Sequence, residues 1–272
     1  MRRKILIAVA VVTLIAGLGF LLFPPVSNFI GQKQADAAAE RYDKQAESVV
    51  KNVTTEDGQV IDTYEKAVEY GVTDPEGYPV SYVRTEDDGS VSYGERIVYQ
   101  LDLDRLKKDS IEYNRMLLTG QGGADTIQYD RSAFDLKKYG ISDEIYCYIS
   151  AWTVGLKLPV YLGASDEMMS YGAGHLYGTS LPVGDEDSNV AVAGHTGYIG
   201  RIFFDNIRHL QIGHEVEVTT WWETVTYHVV DFKTIRSNDS ADLLIKPGKQ
   251  LLTLITCEDK DIRYVVICEK DS

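Results

Sequence analysis

The chain has 272 residues, which is enough for one sizeable domain and additional segments. Its net charge of -14 argues against a nucleic-acid-binding protein, because surfaces that bind nucleic acids are basic. The three cysteines, Cys147, Cys257 and Cys268, are too few for a disulfide framework, and their number is odd. A chain of this composition outside the cytoplasm would therefore carry at least one free thiol.

The amino terminus has the pattern of a membrane anchor. A basic tip, residues 1–4, precedes an uncharged apolar segment, residues 5–23. At ~1.5 Å per residue, a helix of this length approaches the ~30 Å hydrocarbon core of a bilayer. The basic tip predicts that residues 1–4 are cytoplasmic and that the rest of the chain faces outward. A cleaved signal peptide is the alternative, but the nearest small-residue site, Ala35–Ala37, lies well downstream.

Residues 24–139 are predicted to form an extracellular helical stalk. Pro24 and Pro25 should end the membrane helix, because proline lacks the amide hydrogen that a helix interior uses. Helical spacing of apolar residues then predicts helices over Gln32–Asn52, as an exposed helix, and over Asp102–Leu118.

The stalk also contains a segment that differs in composition. Residues 54–71 are expected to continue as a second helix, whereas residues 74–99 are acidic and rich in glycine and proline. Asp88–Gly89 lies between alternating residues, a pattern that is typical of a hairpin turn. Residues 74–99 are therefore interpreted as a small insertion.

From residue 140 to residue 272 the pattern changes to short strands separated by turn signals. Seven or eight such strands with few helices predict a mainly β domain, a closed or nearly closed barrel. Cys147 lies on the apolar face of its strand and is expected in the core. Ser165 is a candidate helix cap, and residues 201–210 are predicted to be helical.

Two strands near the end of the chain form a predicted hairpin. Gln250–Cys257 is followed by a short charged loop, and a second strand begins at Arg263. Cys257 and Arg263 should therefore share one rim of the sheet. A neighbouring cation favours the thiolate form of a thiol, so Cys257 is a candidate nucleophile. The alternative is that Cys257 packs in the core, as free cysteines often do.

Five histidines are candidates to act with this thiol. The patterns place His209, His214 and His228 in solvated or packing positions, whereas His175 and His195 lie in glycine-flanked loops. His195 ends an apolar strand, as Cys257 does, so the spacing favours His195 over His175.

These residues also match a known family. The chain resembles the sortases, membrane-anchored cysteine transpeptidases of Gram-positive cell surfaces, and within them the pilin-polymerising class C. The resemblance covers residues 140–269 well and rests on these segments: Ala193–Gly197 (AGHTG), Thr253–Cys257 (TLITC), Arg263, Phe203–Gly213 and Gly174–Gly184.

The resemblance implies an eight-stranded sortase barrel in which Cys257 is the nucleophile, His195 the general acid and base, and Arg263 the oxyanion-stabilising or substrate-orienting cation. The implied substrate is a surface or pilin protein with an LPxTG-like sorting signal, cut between Thr and Gly. The acyl group would pass to an amine, either a pilin lysine or a lipid-linked cell-wall precursor. No cofactor is implied, and the catalytic domain would lie outside the membrane. A non-catalytic barrel that binds surface proteins and a hydrolytic cysteine protease are the alternatives.

Several departures from the class C pattern leave the subclass open, among them the lid region and the loop after Cys257. Residues 122–134 lack the Asp-Pro-aromatic motif of the usual lid, although Tyr129 or Phe134 could plug the site. The loop after Cys257 is short and acidic, and we expect it to oppose the effect of Arg263 on the thiol. The acidic residues 185–187 are interpreted as a solvated turn rather than a cation site.

Overall fold

The computed structural model describes residues 2–48, 53–54, 60–61, 83–85, 91–93, 102–120, 127–141, 143–184, 186–197 and 203–271. The first element is one helix of 47 residues, α1 (Arg2–Ser48), which is continuous through Pro24 and Pro25. The expectation that these prolines end the helix is therefore wrong. Each proline removes one helical hydrogen bond, a loss that membrane-spanning helices commonly tolerate. By length and composition, the Val11–Asp43 part of α1 could cross a membrane.

Short antiparallel ribbons follow α1 in the stalk. β1 (Val53–Thr54) pairs with β2 (Val60–Ile61), where a second helix was expected. β3 (Val83–Thr85) pairs with β4 (Val91–Tyr93) on either side of Asp88–Gly89, as the turn signal predicts. The rest of residues 54–71 and of the 74–99 insertion lies outside the described residues.

A second helix, α2 (Leu103–Gly120), packs against the carboxyl-terminal domain. Its buried residues include Leu106, Tyr113 and Asn114. The Asn114 side chain donates to the carbonyl of Leu181 at 2.9 Å and accepts from the amide of Leu181 at 2.8 Å. This two-point contact fixes α2 on the domain.

Eight strands close the predicted barrel. They are β5 (Ile145–Ala151), β6 (Leu156–Leu162), β7 (Ala173–His175), β8 (Ser188–Ala193), β9 (Glu215–Thr219), β10 (Thr224–Arg236), β11 (Gln250–Asp259) and β12 (Ile262–Lys270). Their order is β10-β12-β11-β8-β7-β6-β5-β9, and β9 pairs with β10 to complete the ring. β6–β7 and β8–β11 are parallel pairs, and the other neighbours are antiparallel.

The barrel strands bury apolar residues on both faces. On β11, Leu252 and Leu254 belong to the main core, whereas Leu251 and Ile255 belong to a second cluster on the opposite face. Side chains alternate along a strand, so Cys257 follows Ile255 on the face of the second cluster. This cluster forms the floor beneath the thiol.

The carboxyl-terminal part of α1 packs on the barrel. Ala35, Ala38, Ala39 and Tyr42 are buried, and the Tyr42 ring lies 3.9 Å from that of Trp221 between centroids. The expectation of an exposed helix over residues 32–52 is therefore wrong for this face. Small alanine side chains allow the close approach, which a search for large apolar residues does not detect.

Three short elements lie beside the barrel strands. The helix α3 (Asp166–Met169) is capped by Ser165, whose side chain accepts from the Met168 amide, as expected. A 3₁₀ turn over Asp205–His209 occupies part of the helix predicted over residues 201–210, and a second 3₁₀ turn over Ala241–Leu243 packs near β8.

Candidate active site

The parallel pairing of β8 and β11 brings two predicted residues to one rim of the barrel. Ala193, the last residue of β8, pairs with Ile255 where the parallel ladder ends, and His195 and Cys257 each follow two residues later. The pairing extends beyond the strand through two hydrogen bonds. The Gly194 amide donates to the Ile255 carbonyl at 3.1 Å, and the Thr256 hydroxyl donates to the Gly194 carbonyl at 2.7 Å.

Cys257 is the exposed cysteine, and the other two are buried. Burial raises the pKa of the Cys268 thiol to about 12 and raises that of Cys147 further. A buried neutral thiol is a poor nucleophile, because the thiolate is the reactive form. Accessibility therefore separates Cys257 from the two core cysteines, including Cys147, which lies in the core as expected.

Arg263 lies directly across the hairpin from Cys257, as the register Cys257↔Arg263 shows. Its Nη1 donates to the carbonyls of Asp259 and Lys260 at 3.3 Å and of Ile262 at 3.2 Å. These bonds to the loop hold the guanidinium at the rim, beside the strand end that carries the thiol.

The loop after β8 is held in place by hydrogen bonds to Phe204 and Asp205. The carboxylate of Asp205 accepts from the Thr196 hydroxyl at 3.2 Å and from the Gly197 amide at 2.8 Å, and the Phe204 amide donates to the His195 carbonyl at 2.9 Å. A Cβ atom on Gly194 would lie 2.7 Å from the Phe204 ring, so only glycine fits there. The backbone on both sides of His195 is thereby fixed.

His195, Cys257 and Arg263 line one cleft of about 350 Å³. The other lining residues are Tyr129, Asp130, Ala164, Ser165, Asp166, Met169, Ala193, Gly194, Ile255 and Thr256. The cleft has an apolar floor from the second cluster and an acidic margin at Asp130 and Asp166. The three residues that the sequence singled out are thus brought together, and the cleft has room for a peptide segment.

Tyr129 reaches this cleft from the segment that precedes the barrel. Its phenol lies beside the Arg263 guanidinium and near the Cys257 thiol. Burial raises the pKa of Tyr129, and the positive charge of Arg263 opposes that shift. The backbone is held on both sides, since Gln128 pairs with Tyr177 and the Ala164 amide donates to the Tyr129 carbonyl.

Of the two aromatic residues considered as plugs, Tyr129 lies in the cleft and Phe134 does not. The Phe134 ring packs against Tyr113 at 5.9 Å and Tyr139 at 6.0 Å between centroids. Phe134 therefore packs between α2 and the segment before the barrel rather than in the cleft.

The remaining histidines lie elsewhere. His175 is buried within the barrel wall, where its Nε2 lies 2.9 Å from the Ser180 carbonyl, and burial lowers its pKa to about 4. His209 is exposed. His214 lies beside Thr153 and accepts from the Gln211 amide, and His228 is near Glu215 and Asp271. His195 is the histidine that shares the cleft with Cys257.

One carboxylate of the acidic turn over residues 185–187 forms a hydrogen bond within the protein. The Asp187 side chain accepts from the Gly248 amide, and Asp185 lies outside the described residues. Among the described residues, no group of three His, Cys, Asp or Glu side chains is placed to hold a metal ion.

Sequence patterns missed one charged residue near Cys257. Arg208, on the Asp205–His209 turn, reaches the Cys257 carbonyl at 3.4 Å and the Glu258 carboxylate at 3.3 Å. The contact spans 49 residues of sequence, so local spacing carries no signal for it.

Comparisons with known proteins agree with this geometry. Residues 149–271 match the family model described as the sortase domain. The chain is 29% identical over 118 residues to "Sortase A" of Streptococcus agalactiae, a match that covers 42% of this chain and 47% of that relative. It thus spans about half the length of that curated relative.

Solved structures with the same barrel include sortases of two classes. Sortase C-1 from Streptococcus pneumoniae is 26% identical with a TM-score of 0.52, covering 63% of this chain and 96% of that one. Sortase A from Corynebacterium diphtheriae is 25% identical with a TM-score of 0.55, covering 62% and 84%. Sortases C recur among the similar structures, which confirms the predicted resemblance to class C. Residues 149–271 of this chain match the sortase domain, and through that domain the chain is similar to the sortase family, most of all to its class C members.

Proposed function

We propose that this protein is a membrane-anchored cysteine transpeptidase in which Cys257, His195 and Arg263 act together. The observation that carries the proposal is the single cleft shared by an exposed thiol, an imidazole and a guanidinium at the rim of a sortase barrel. The expected anchor is residues 5–23, with residues 24–139 as the stalk and 140–272 as the extracytoplasmic catalytic domain.

The proposed substrate is a surface or pilin protein with an LPxTG-like sorting signal. The Cys257 thiolate attacks the threonine carbonyl carbon, and the negative charge that develops on the carbonyl oxygen faces Arg263. Collapse of this intermediate forms a thioester and breaks the Thr–Gly bond, while the protonated His195 gives its proton to the departing glycine nitrogen. An always-charged guanidinium suits the oxyanion, and losing one such donor typically costs about 3 kcal/mol of transition-state stabilisation.

In the second half of the reaction, an amine attacks the thioester carbonyl. Neutral His195 accepts a proton from this amine, the new amide bond forms, and the sulfur leaves as the thiolate. The acceptor is a pilin lysine or the peptide of a lipid-linked cell-wall precursor. Resemblance to sortases C favours the lysine, and the match to a sortase A keeps wall anchoring as the alternative.

The decisive experiment uses the full chain in detergent with an LPxTG-like peptide and an amine acceptor. Mass spectrometry should detect the peptide cut after threonine and joined to the acceptor by an amide bond. Cys257→Ala should abolish this product, whereas Cys268→Ala, a change in a buried core cysteine, should retain it. Equal inactivity of wild type and Cys257→Ala across a broad peptide panel would refute the proposal.

The nature of the product separates the alternatives. Cleavage to a free threonine acid, with no amide even at high acceptor concentration, would indicate a hydrolytic protease. Binding of the peptide without any turnover would indicate a barrel that acts as a binding module.

A further inference from the structure

Arg208 links the Asp205–His209 turn to the strand end that carries Cys257. Its Nη2 lies 3.4 Å from the Cys257 carbonyl oxygen, and its Nη1 lies 3.3 Å from Oε1 of Glu258. The guanidinium carbon also lies 4.9 Å from the centroid of the Tyr264 ring. Three separate contacts therefore define the position of this side chain, which is about one third exposed.

These contacts lie on the face of the hairpin opposite the thiol. Cys257 and its partner Arg263 line the cleft, whereas Tyr264, the next residue on β12, packs against the main core. Glu258 belongs to the Tyr264 side, because its Oε2 also accepts from Thr234 at 3.4 Å, and Thr234 pairs with Tyr264. The carboxylate next to Cys257 in sequence is thus turned away from the cleft.

The same turn contacts the histidine loop through Asp205. The Asp205 carboxylate accepts from Thr196 and Gly197, which directly follow His195. A single turn of five residues therefore contacts both strand ends that contribute to the cleft.

We propose that Arg208 is a positioning residue for the nucleophile, which binds the Cys257 carbonyl and holds the Glu258 carboxylate on the far face of the strand. The Asp205–His209 turn then fixes the thiol relative to the His195 loop. The proposal rests on the proposed function only for the assignment of Cys257 as nucleophile. Without Arg208, Glu258 keeps, among the described residues, only the hydrogen bond from Thr234, and its negative charge, no longer balanced by a cation, opposes formation of the thiolate on the neighbouring residue.

Other charged groups surround the thiol, and the test must leave them unchanged. Arg263 and Asp259 lie on the hairpin, Tyr129 and Asp130 on the segment before the barrel, Asp166 on α3, and His195 after β8. Substitutions at Arg208 and Glu258 alter none of these groups, so a change in thiol reactivity reports on this pair.

The test measures iodoacetamide alkylation of Cys257 against pH in the full chain, with the modified residue identified by mass spectrometry. Arg208→Gln should slow alkylation at pH 7 by about threefold and move the midpoint to higher pH, the size expected for one unpaired charge across a strand. Glu258→Gln should shift the profile in the opposite direction. Arg208→Lys, which keeps the charge, should remain close to wild type.

Arg115→Gln is the matched control. Arg115 forms an exposed ion pair with Glu112 on α2 at 2.6 Å, outside the cleft, so its loss should leave the alkylation profile unchanged. If Arg208→Gln matches wild type, or if Arg208→Gln and Glu258→Gln shift the profile in the same direction, the proposal is wrong. If Arg208→Gln does not fold, Glu258→Gln alone decides: faster alkylation supports the proposal, and an unchanged profile overturns it.

Peptide transfer by the wild type separates this proposal from the proposed function. Opposite shifts in alkylation without any peptide transfer would retain the role of Arg208 and remove the transpeptidase assignment. Peptide transfer together with an unchanged Arg208→Gln alkylation profile would support the transpeptidase assignment and remove the role of Arg208.

Discussion

The phenol of Tyr129 lies beside the guanidinium of Arg263, in the cleft that also contains the thiol of Cys257. An aromatic ring from outside the barrel thus occupies part of the cleft that the proposed substrate must enter. Backbone hydrogen bonds between Gln128 and Tyr177 and between Ala164 and Tyr129 hold it there in the described structure.

Removing this ring should expose the thiol. We expect Tyr129→Ala to accelerate alkylation of Cys257 on the order of fivefold, because the ring occupies part of the cleft and limits access to the thiol. Tyr129→Phe keeps the ring and loses the hydroxyl group beside Arg263, so its rate should lie between those of Tyr129→Ala and wild type. Phe134→Leu is the control, since Phe134 packs outside the cleft. An unchanged rate in Tyr129→Ala would show that the ring does not obstruct the thiol.

Alkylation of the native protein should be confined to one cysteine. Cys147 and Cys268 are buried, and their raised pKa values keep both thiols neutral at pH 8. Peptide mapping after brief treatment with iodoacetamide should find label on Cys257, and Cys257→Ala should remain unlabelled. In denaturant, all three cysteines of the wild type should react. Rapid native labelling of Cys147 or Cys268 would contradict the buried placement of that residue.

Gly194 should be intolerant of a side chain. An added Cβ would lie 2.7 Å from the Phe204 ring, and the strand end before His195 would have to move. We expect Gly194→Ala to lower stability by about 2 kcal/mol, as overpacking commonly does, and to reduce peptide transfer by more than tenfold. Phe204→Leu in the same chain should recover part of both losses. Denaturant unfolding and transfer rates measure the two effects, and full activity of Gly194→Ala would contradict the crowded contact.

His175 should make the fold sensitive to acid. Burial lowers its pKa to about 4 from an ordinary value near 6.5, so between these values the unfolded chain binds the proton more readily. The contribution of neutral His175 is fully present above pH 6.5 and is lost as the pH falls towards 4. The maximum effect is about 3 kcal/mol.

A substitution tests the assignment of this acid sensitivity. His175→Gln should flatten the pH dependence of unfolding between pH 6.5 and 4, whatever its effect on stability at pH 7. His209→Gln, at an exposed position, should retain the dependence of the wild type. If the free energy of unfolding depends on pH equally in His175→Gln and wild type, groups other than His175 cause the acid sensitivity.

The sequence predicted the barrel and the contents of the cleft because the relevant signals are local. Strand periodicity ends at Cys257 and at Ala193, just before His195, so each pattern places its residue at a rim without knowledge of the fold. The pairing of β8 with β11, which brings these rims together, is not local, and the sequence patterns did not predict it; the joint roles of His195 and Cys257 came from the family resemblance.

Contacts between distant segments account for what the sequence did not predict. Tyr129 and Phe134 are both aromatic residues in one irregular segment, and only their packing shows which one enters the cleft. The Arg208–Glu258 contact spans 50 residues. The continuation of α1 past Pro24 and Pro25 was missed because proline rules describe short soluble helices better than a helix of 47 residues.

The bond between Thr256 and Gly194 joins residues that are 62 positions apart in the chain. During biosynthesis the histidine segment emerges well before the cysteine segment, and β11 is among the final strands to be made. Closing so long a loop is entropically slow, so the two segments meet late in folding. A nascent or partly folded chain therefore carries an ordinary cysteine without its partners, and the chemistry becomes available only when the barrel has closed.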